Sequence, residues 1–187
     1  MEMRRKLQYD DSGVKNWKQF EFPIAQVLSV LLALSPALLG TERSAEVVVC
    51  IGNPLAADRW LAEEWKRELG RIVESSGREL RVAGCDEPGA MQVYFMRIHP
   101  FESSALGAAR VRCGVVLPLL EVYTEPLAAM LGTRLPGVLG RAMARVTAHE
   151  LAHVLRQETH HQAAGAFAAQ YTAGLLRAAR PSYFAMQ

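Results

Sequence analysis

The chain has 187 residues, half of them hydrophobic and about a fifth charged, a balance that suits one globular domain with a substantial core. Its 21 Lys and Arg against 19 Asp and Glu leave a formal net charge of +2, without the basic excess that nucleic-acid binding uses. Cys50, Cys85 and Cys113 lie too far apart for a Cys-x-x-Cys pair, which argues against a zinc knuckle or a redox motif. Each cysteine reads as a small buried hydrophobe, and export would allow one disulfide with one thiol left over, the pair being open.

At the amino terminus, Arg4, Arg5, Lys6, Lys15 and Lys18 precede a stretch from Phe22 to Thr41 that holds no charge. Basic residues, an apolar run and then the small or helix-breaking Ser35, Pro36, Ala37 and Gly40 follow the order of a secretory signal. The run is also close to the length that spans a bilayer, so residues 1–41 are expected to be a signal peptide or a membrane anchor, and residues 42–187 the folded domain. The expected location is outside the cytoplasm, periplasmic or extracellular, or anchored to the membrane through that segment alone.

Glu46 to Ile51 reads as a buried strand, short and β-branched, ended by Gly52 and Asn53. Asn53 followed by Pro54 is expected to start a helix whose apolar face carries Leu61, Trp65, Leu69, Ile72 and Val73, with Gly77 ending it. A second strand is expected around Leu80 to Val82, a third from Met91 to Ile98 and a fourth from Arg110 to Leu117. Thr124-Glu125-Pro126 starts a short helix to Leu131, residues 132–140 read as a turn, and the next helix is expected from about Leu139 to Leu155. Strands first and a long helix late imply an α+β fold with one core.

That last helix contains His149-Glu150-Leu151-Ala152-His153. Two histidines four residues apart on a helix lie about 40° apart around its axis and about 6 Å along it, so both rings reach one metal ion. Glu150 is displaced from His149 by about 100° around the helix, where it serves as general base for a zinc-bound water instead of as a ligand. Zinc lowers the pKa of that water to about 7, and the carboxylate takes its proton during attack. A catalytic zinc takes three protein ligands and leaves one position open. No Asp or Glu follows Glu158, and the other histidines are His99, His160 and His161. The third ligand is therefore expected from the pair His160-His161, with His99, before Pro100 at a strand end, read as structural. Arg141 and Arg145, one and two turns ahead of the motif, read as the solvated face.

The order His149-Glu150-Leu151-Ala152-His153-Val154-Leu155, His160-His161, Gly165-Ala166-Phe167 resembles the zincin metallopeptidases, and among them the metzincins. It departs in having Arg156 where metzincins carry glycine, Thr159 where they carry the third histidine, and Phe167 in place of the methionine of their turn. The stretch is closer still to small exported bacterial zincin-like proteins of poorly known function. This resemblance implies a zincin-like fold, a small mixed sheet packed against a long helix and the zinc helix. It implies zinc held by His149, His153 and His161, with His160 as the alternative third ligand. Phe167 would form an apolar floor below the metal, and Tyr171 or Tyr183 would stabilise the transition state by a hydrogen bond to the oxyanion. The strand Met91 to Ile98 would be the sheet edge along which an extended peptide lies. The activity implied is that of a zinc-dependent metalloendopeptidase acting on peptides or proteins, with no nucleic-acid partner. Two other readings stand beside it: a zinc-binding protein without peptidase activity that acts in partner recognition, and a zinc hydrolase of another amide.

Overall fold

The computed structural model describes residues 45–52, 58–102, 104–161, 168 and 170–178. The expected signal or anchor over residues 1–41, together with Phe167 and Tyr183, lies outside the described residues. Among the described residues no helix is long and apolar enough to cross a membrane.

Strands β1 (Glu46–Ile51), β2 (Glu79–Val82), β3 (Met91–Met96), β4 (Gly107–Arg112) and β5 (Val115–Tyr123) form one sheet in the order β2-β1-β3-β5-β4. All neighbours pair in parallel except β4 and β5, which are antiparallel. The architecture is thus mixed α/β, compatible with the α+β class expected. A parallel pair needs a crossover, and helix α1 (Arg59–Glu74) supplies it between β1 and β2. Helix α1 starts at Arg59, where the Asp58 side chain accepts bonds from the N–H groups of Trp60 and Leu61 at 3.0 and 3.2 Å; the start expected at Asn53-Pro54 lies outside the described residues. Val49 lies opposite Val82 on one side and Met91 on the other, so β3 begins at the level where β2 ends and the connection 83–90 only has to cross β1. A disulfide between Cys50 and Cys85 ties that connection to β1, leaving Cys113 as the exposed free thiol and not the buried hydrophobe expected.

The expected single strand Arg110 to Leu117 is two strands. They turn at Cys113 and Gly114, with φ of 51° and 79°, the left-handed pair that a two-residue hairpin turn requires. No Asn-Gly or Asp-Gly marks this turn. The ladder is irregular between Ala109 and Val111: Ala109 faces Leu120 while Val111 faces Val116. Pro118 stands in the intervening stretch of β5 and cannot donate a ladder hydrogen bond. The expected edge strand is also corrected, since β3 lies inside the sheet between β1 and β5 and the edges are β2 and β4.

Helix α2 (Thr124–Leu131) follows β5, and helix α3 (Pro136–Arg156) absorbs most of what reads as a turn, with Pro136 at its first position. A short α4 (Ala173–Arg177) closes the described chain. Alternate residues of the strands, among them Val47, Val49, Val93, Leu120 and Val122, share a core with Trp65, Leu69 and Ile72 of α1 and Met143, Val146 and Leu151 of α3. Trp65 packs edge-on against Phe95, ring centroids 5.4 Å apart.

The seam between α1 and α3 is polar as well as apolar, which corrects the expectation that Arg141 and Arg145 face solvent. Arg145 is fully buried and donates to Glu68 Oε1 from Nε at 2.9 Å and from one terminal nitrogen at 2.6 Å. It also donates to the carbonyl oxygens of Leu175 and Ala178, each at 2.6 Å, which binds the end of α4 to α3. Arg141 donates to Glu64 at 3.2 Å, and Trp65 Nε1 donates to Thr147 Oγ1 at 2.9 Å. An arginine every fourth residue on a helix reads as a wet face until the acids of the neighbouring helix are known.

Candidate metal centre

The carboxyl-terminal half of α3 lies under the edge of the sheet, and the cleft between them is about 640 Å³ in volume. Strand β4, the loop before it, α3 and, beyond it, Glu158, Thr159, His161, Ala168, Gln170 and Tyr171 form its walls. His149 and His153 face it, only 7% and 5% exposed, with their Nε2 atoms 3.0 Å apart. The His161 ring stacks on His149, centroids 5.1 Å apart and planes 14° off parallel, and meets His153 edge-on at 5.0 Å. One ring nitrogen from each of the three lies within 4.8 Å of the others, a group that can hold a metal ion. Bonds of about 2.0–2.1 Å around a tetrahedral ion put donor nitrogens about 3.3–3.4 Å apart, so the spacing suits one ion with small adjustments. His160, next in the chain, is exposed and outside this group.

The other nitrogen of each buried histidine is held. His153 Nδ1 lies 2.6 Å from the carbonyl oxygen of Glu158. A carbonyl only accepts, so this nitrogen carries the proton and Nε2 presents its lone pair. His149 Nδ1 lies 2.9 Å from the Tyr171 hydroxyl. When that nitrogen donates to the phenol oxygen, His149 Nε2 offers a lone pair too, on an atom 3.0 Å from His153 Nε2. Such carbonyl and hydroxyl partners fix ring orientation and tautomer for metal ligation. Tyr171, expected as an oxyanion donor, thus has its hydroxyl on the far edge of the His149 ring. Burial holds the His153 imidazole below its ordinary value of 6.5, partly offset by the Glu158 carbonyl, which keeps the ring in the neutral form a metal requires.

Helix α3 ends at Gln157, in the left-handed conformation with φ of 55°. The reversal thus falls one residue after Arg156. Gln157 bonds the backbone of Val116 on both sides, accepting from its N–H at 3.2 Å and donating to its C=O at 3.0 Å. A side-chain amide with paired bonds to a strand helps a non-glycine residue to occupy a disfavoured backbone region.

Glu150 is 6% exposed and points toward β4. Burial pushes its carboxyl up to about 8, opposed by the backbone N–H of Ala109 beside it. A divalent cation at the neighbouring histidines would favour the ionised form and bring the value back down. The second buried carboxylate of this region, Glu121, is engaged elsewhere: Arg110 Nε donates to it at 2.9 Å and the Tyr123 hydroxyl bonds its other oxygen. His99 has a structural task, its Nδ1 accepting from the N–H groups of Phe101 and Glu102 at 3.2 and 2.8 Å.

The site residues that sequence reasoning missed are backbone features. Gly107 and Ala109 of β4 carry no functional group, and Gln157 gives no sign in the sequence that it, and not Arg156, makes the reversal. No protein-family model, no curated protein and no solved structure matches this chain.

Proposed function

We propose that residues 42–187 form a zincin-like metallopeptidase domain in which His149, His153 and His161 hold zinc and Glu150 acts as general base. The observation that carries this reading is the convergence of the three rings beside a buried glutamate, on a helix that faces the edge of a sheet. Three neutral imidazoles suit zinc, though they also suit copper, nickel and iron; zinc is preferred here because the adjacent Glu150 is what hydrolysis needs. Strand β4, the antiparallel edge of an otherwise parallel sheet, walls the cleft that the histidines face and leaves its outer edge unpaired by any other strand of the sheet.

Zinc bound by the histidines would supply Lewis acidity for the carbonyl under attack and acidify the water that attacks it. Glu150 would accept the proton of that water and return it to the leaving amide nitrogen. Tyr171 and the Glu158 carbonyl hold the two buried rings in the tautomer that ligates. The wall of β4 presents backbone groups to an extended peptide, which makes peptides or proteins the proposed substrates. The proposed place of action is outside the cytoplasm, following the character of residues 1–41.

The test is metal analysis of residues 42–187 together with cleavage of an unfolded protein by wild type and Glu150→Gln. One zinc per chain, with cleavage reduced about 10²–10⁴-fold in the variant, is the expected result. Zinc without cleavage in wild type would favour the second reading, a zinc-binding domain that serves partner recognition. The deep burial of Glu150 is the observation that speaks for that alternative.

A further inference from the structure

Gly107 occupies the first position of β4, opposite Val122. Glycine weakens a strand, having no side chain to pack and more entropy to lose. Its backbone does not call for glycine, because Gly107 is not among the positive-φ glycines of the described chain. The cause is close approach. A Cβ built at Gly107 would stand 2.7 Å from Glu150 Oε1, 2.5 Å from Val146 Cγ1 and 3.0 Å from the carbonyl oxygen of Glu121. The first two contacts are shorter than real side chains make and the third is tight, so the space beside β4 exists only because residue 107 has no side chain. The carboxylate of Glu150 fills it.

We infer that Gly107 is a positioning residue for Glu150: by lacking a side chain, it seats the carboxylate against the edge strand. This inference rests on the general-base role proposed above. A glutamate next to a metal ligand on a helix has enough length to swing onto the ion itself. That would close the open coordination position on which hydrolysis depends. The seat at β4 holds the carboxylate where it can take a proton without becoming a ligand. The sheet therefore contributes to the geometry of a base that the helix carries, although β4 itself brings no reactive side chain.

The test uses Gly107→Ala, and Gly107→Ala combined with Val146→Ala, in the zinc-loaded chain. The second change removes the Cγ1 atom that the new methyl group would strike and leaves the encounter with Glu150, together with the milder 3.0 Å approach to the Glu121 carbonyl oxygen. Displacing a catalytic group by about 1 Å costs about 10²-fold. The double variant should therefore melt above the single one while kcat stays about 10²-fold low, with KM and zinc content close to wild type. A crystal structure of the double variant should show the Glu150 carboxylate moved away from β4. Recovery of kcat in the double variant would overturn the inference, since crowding of Val146 would then explain the glycine. So would a carboxylate found in its original place. If wild type cleaves nothing, the peptidase reading fails by itself, and the position of the carboxylate still decides whether Gly107 seats it. If Gly107→Ala alone does not fold, the double variant carries both readouts.

Discussion

Helix α3 carries two buried polar clusters one turn apart, and they differ in what completes them. On the α1 side, the charge of Arg145 is met by Glu68 and its remaining donors by the carbonyls of Leu175 and Ala178. On the cleft side, His149 and His153 turn their outer nitrogens to Tyr171 and Glu158, while their inner ones lie 3.0 Å apart in a group with His161 that can hold a metal ion. The first cluster is closed within the protein. The second converges on a place where an ion fits. Burial of polar groups costs free energy in both, and the direction in which their remaining capacity points separates a structural network from a binding site.

The sharpest way to break this comparison is Arg145→Met, which leaves the buried Glu68 with only the longer 3.5 Å contact to Arg71. It should cost about 3–5 kcal/mol by denaturant unfolding, whereas Glu68→Leu with Arg145→Met should recover much of that and still bind one metal per chain. Loss of metal in a double variant of near wild-type stability would mean that the seam belongs to the site after all. Next in size, Tyr171→Phe removes the hydroxyl that faces His149 Nδ1. Metal affinity should fall about 10–100-fold in a competition titration with a chelator, with the melting temperature of the metal-free chain nearly unchanged. A drop in kcat at full metal loading would instead return Tyr171 to the oxyanion role.

The smallest effect concerns pH. His153 titrates below 6.5 when folded and near 6.5 when unfolded. The unfolded chain therefore binds the proton more readily, so the stability that the neutral ring contributes is present above about pH 6.5 and is lost as pH falls below it. Melting of the metal-free chain between pH 7.5 and 5 should show this decline, and His153→Gln should flatten it. Equal slopes for the two proteins would place the pH sensitivity outside the metal centre.

Local pattern carried a good part of this fold. The β-branched run at Glu46 to Ile51, the apolar face from Leu61 to Val73 and the helical spacing of His149 and His153 follow from periodicity, which depends only on neighbours in the chain. The hairpin did not show, because Cys113 takes the positive φ of its first turn position, where an Asn or Asp before Gly114 would have marked it. Nor did the seam, because Arg145 is buried by Glu68, which lies far away in sequence and a bond away in space.

The sequence by itself determined the identity and spacing of the donors: two histidines one helical turn apart, a glutamate between them, and His160 and His161 a few residues on. Only the tertiary structure decided which of that pair joins the group, which strand edges the cleft, and where the Glu150 carboxylate rests. Those answers depend on distances between segments remote in the chain, the closing of Gln157 onto Val116 and the approach of Gly107 to α3 among them. Spacing along one helix is set by the helix itself. Spacing between a helix and a strand is set by everything packed between them.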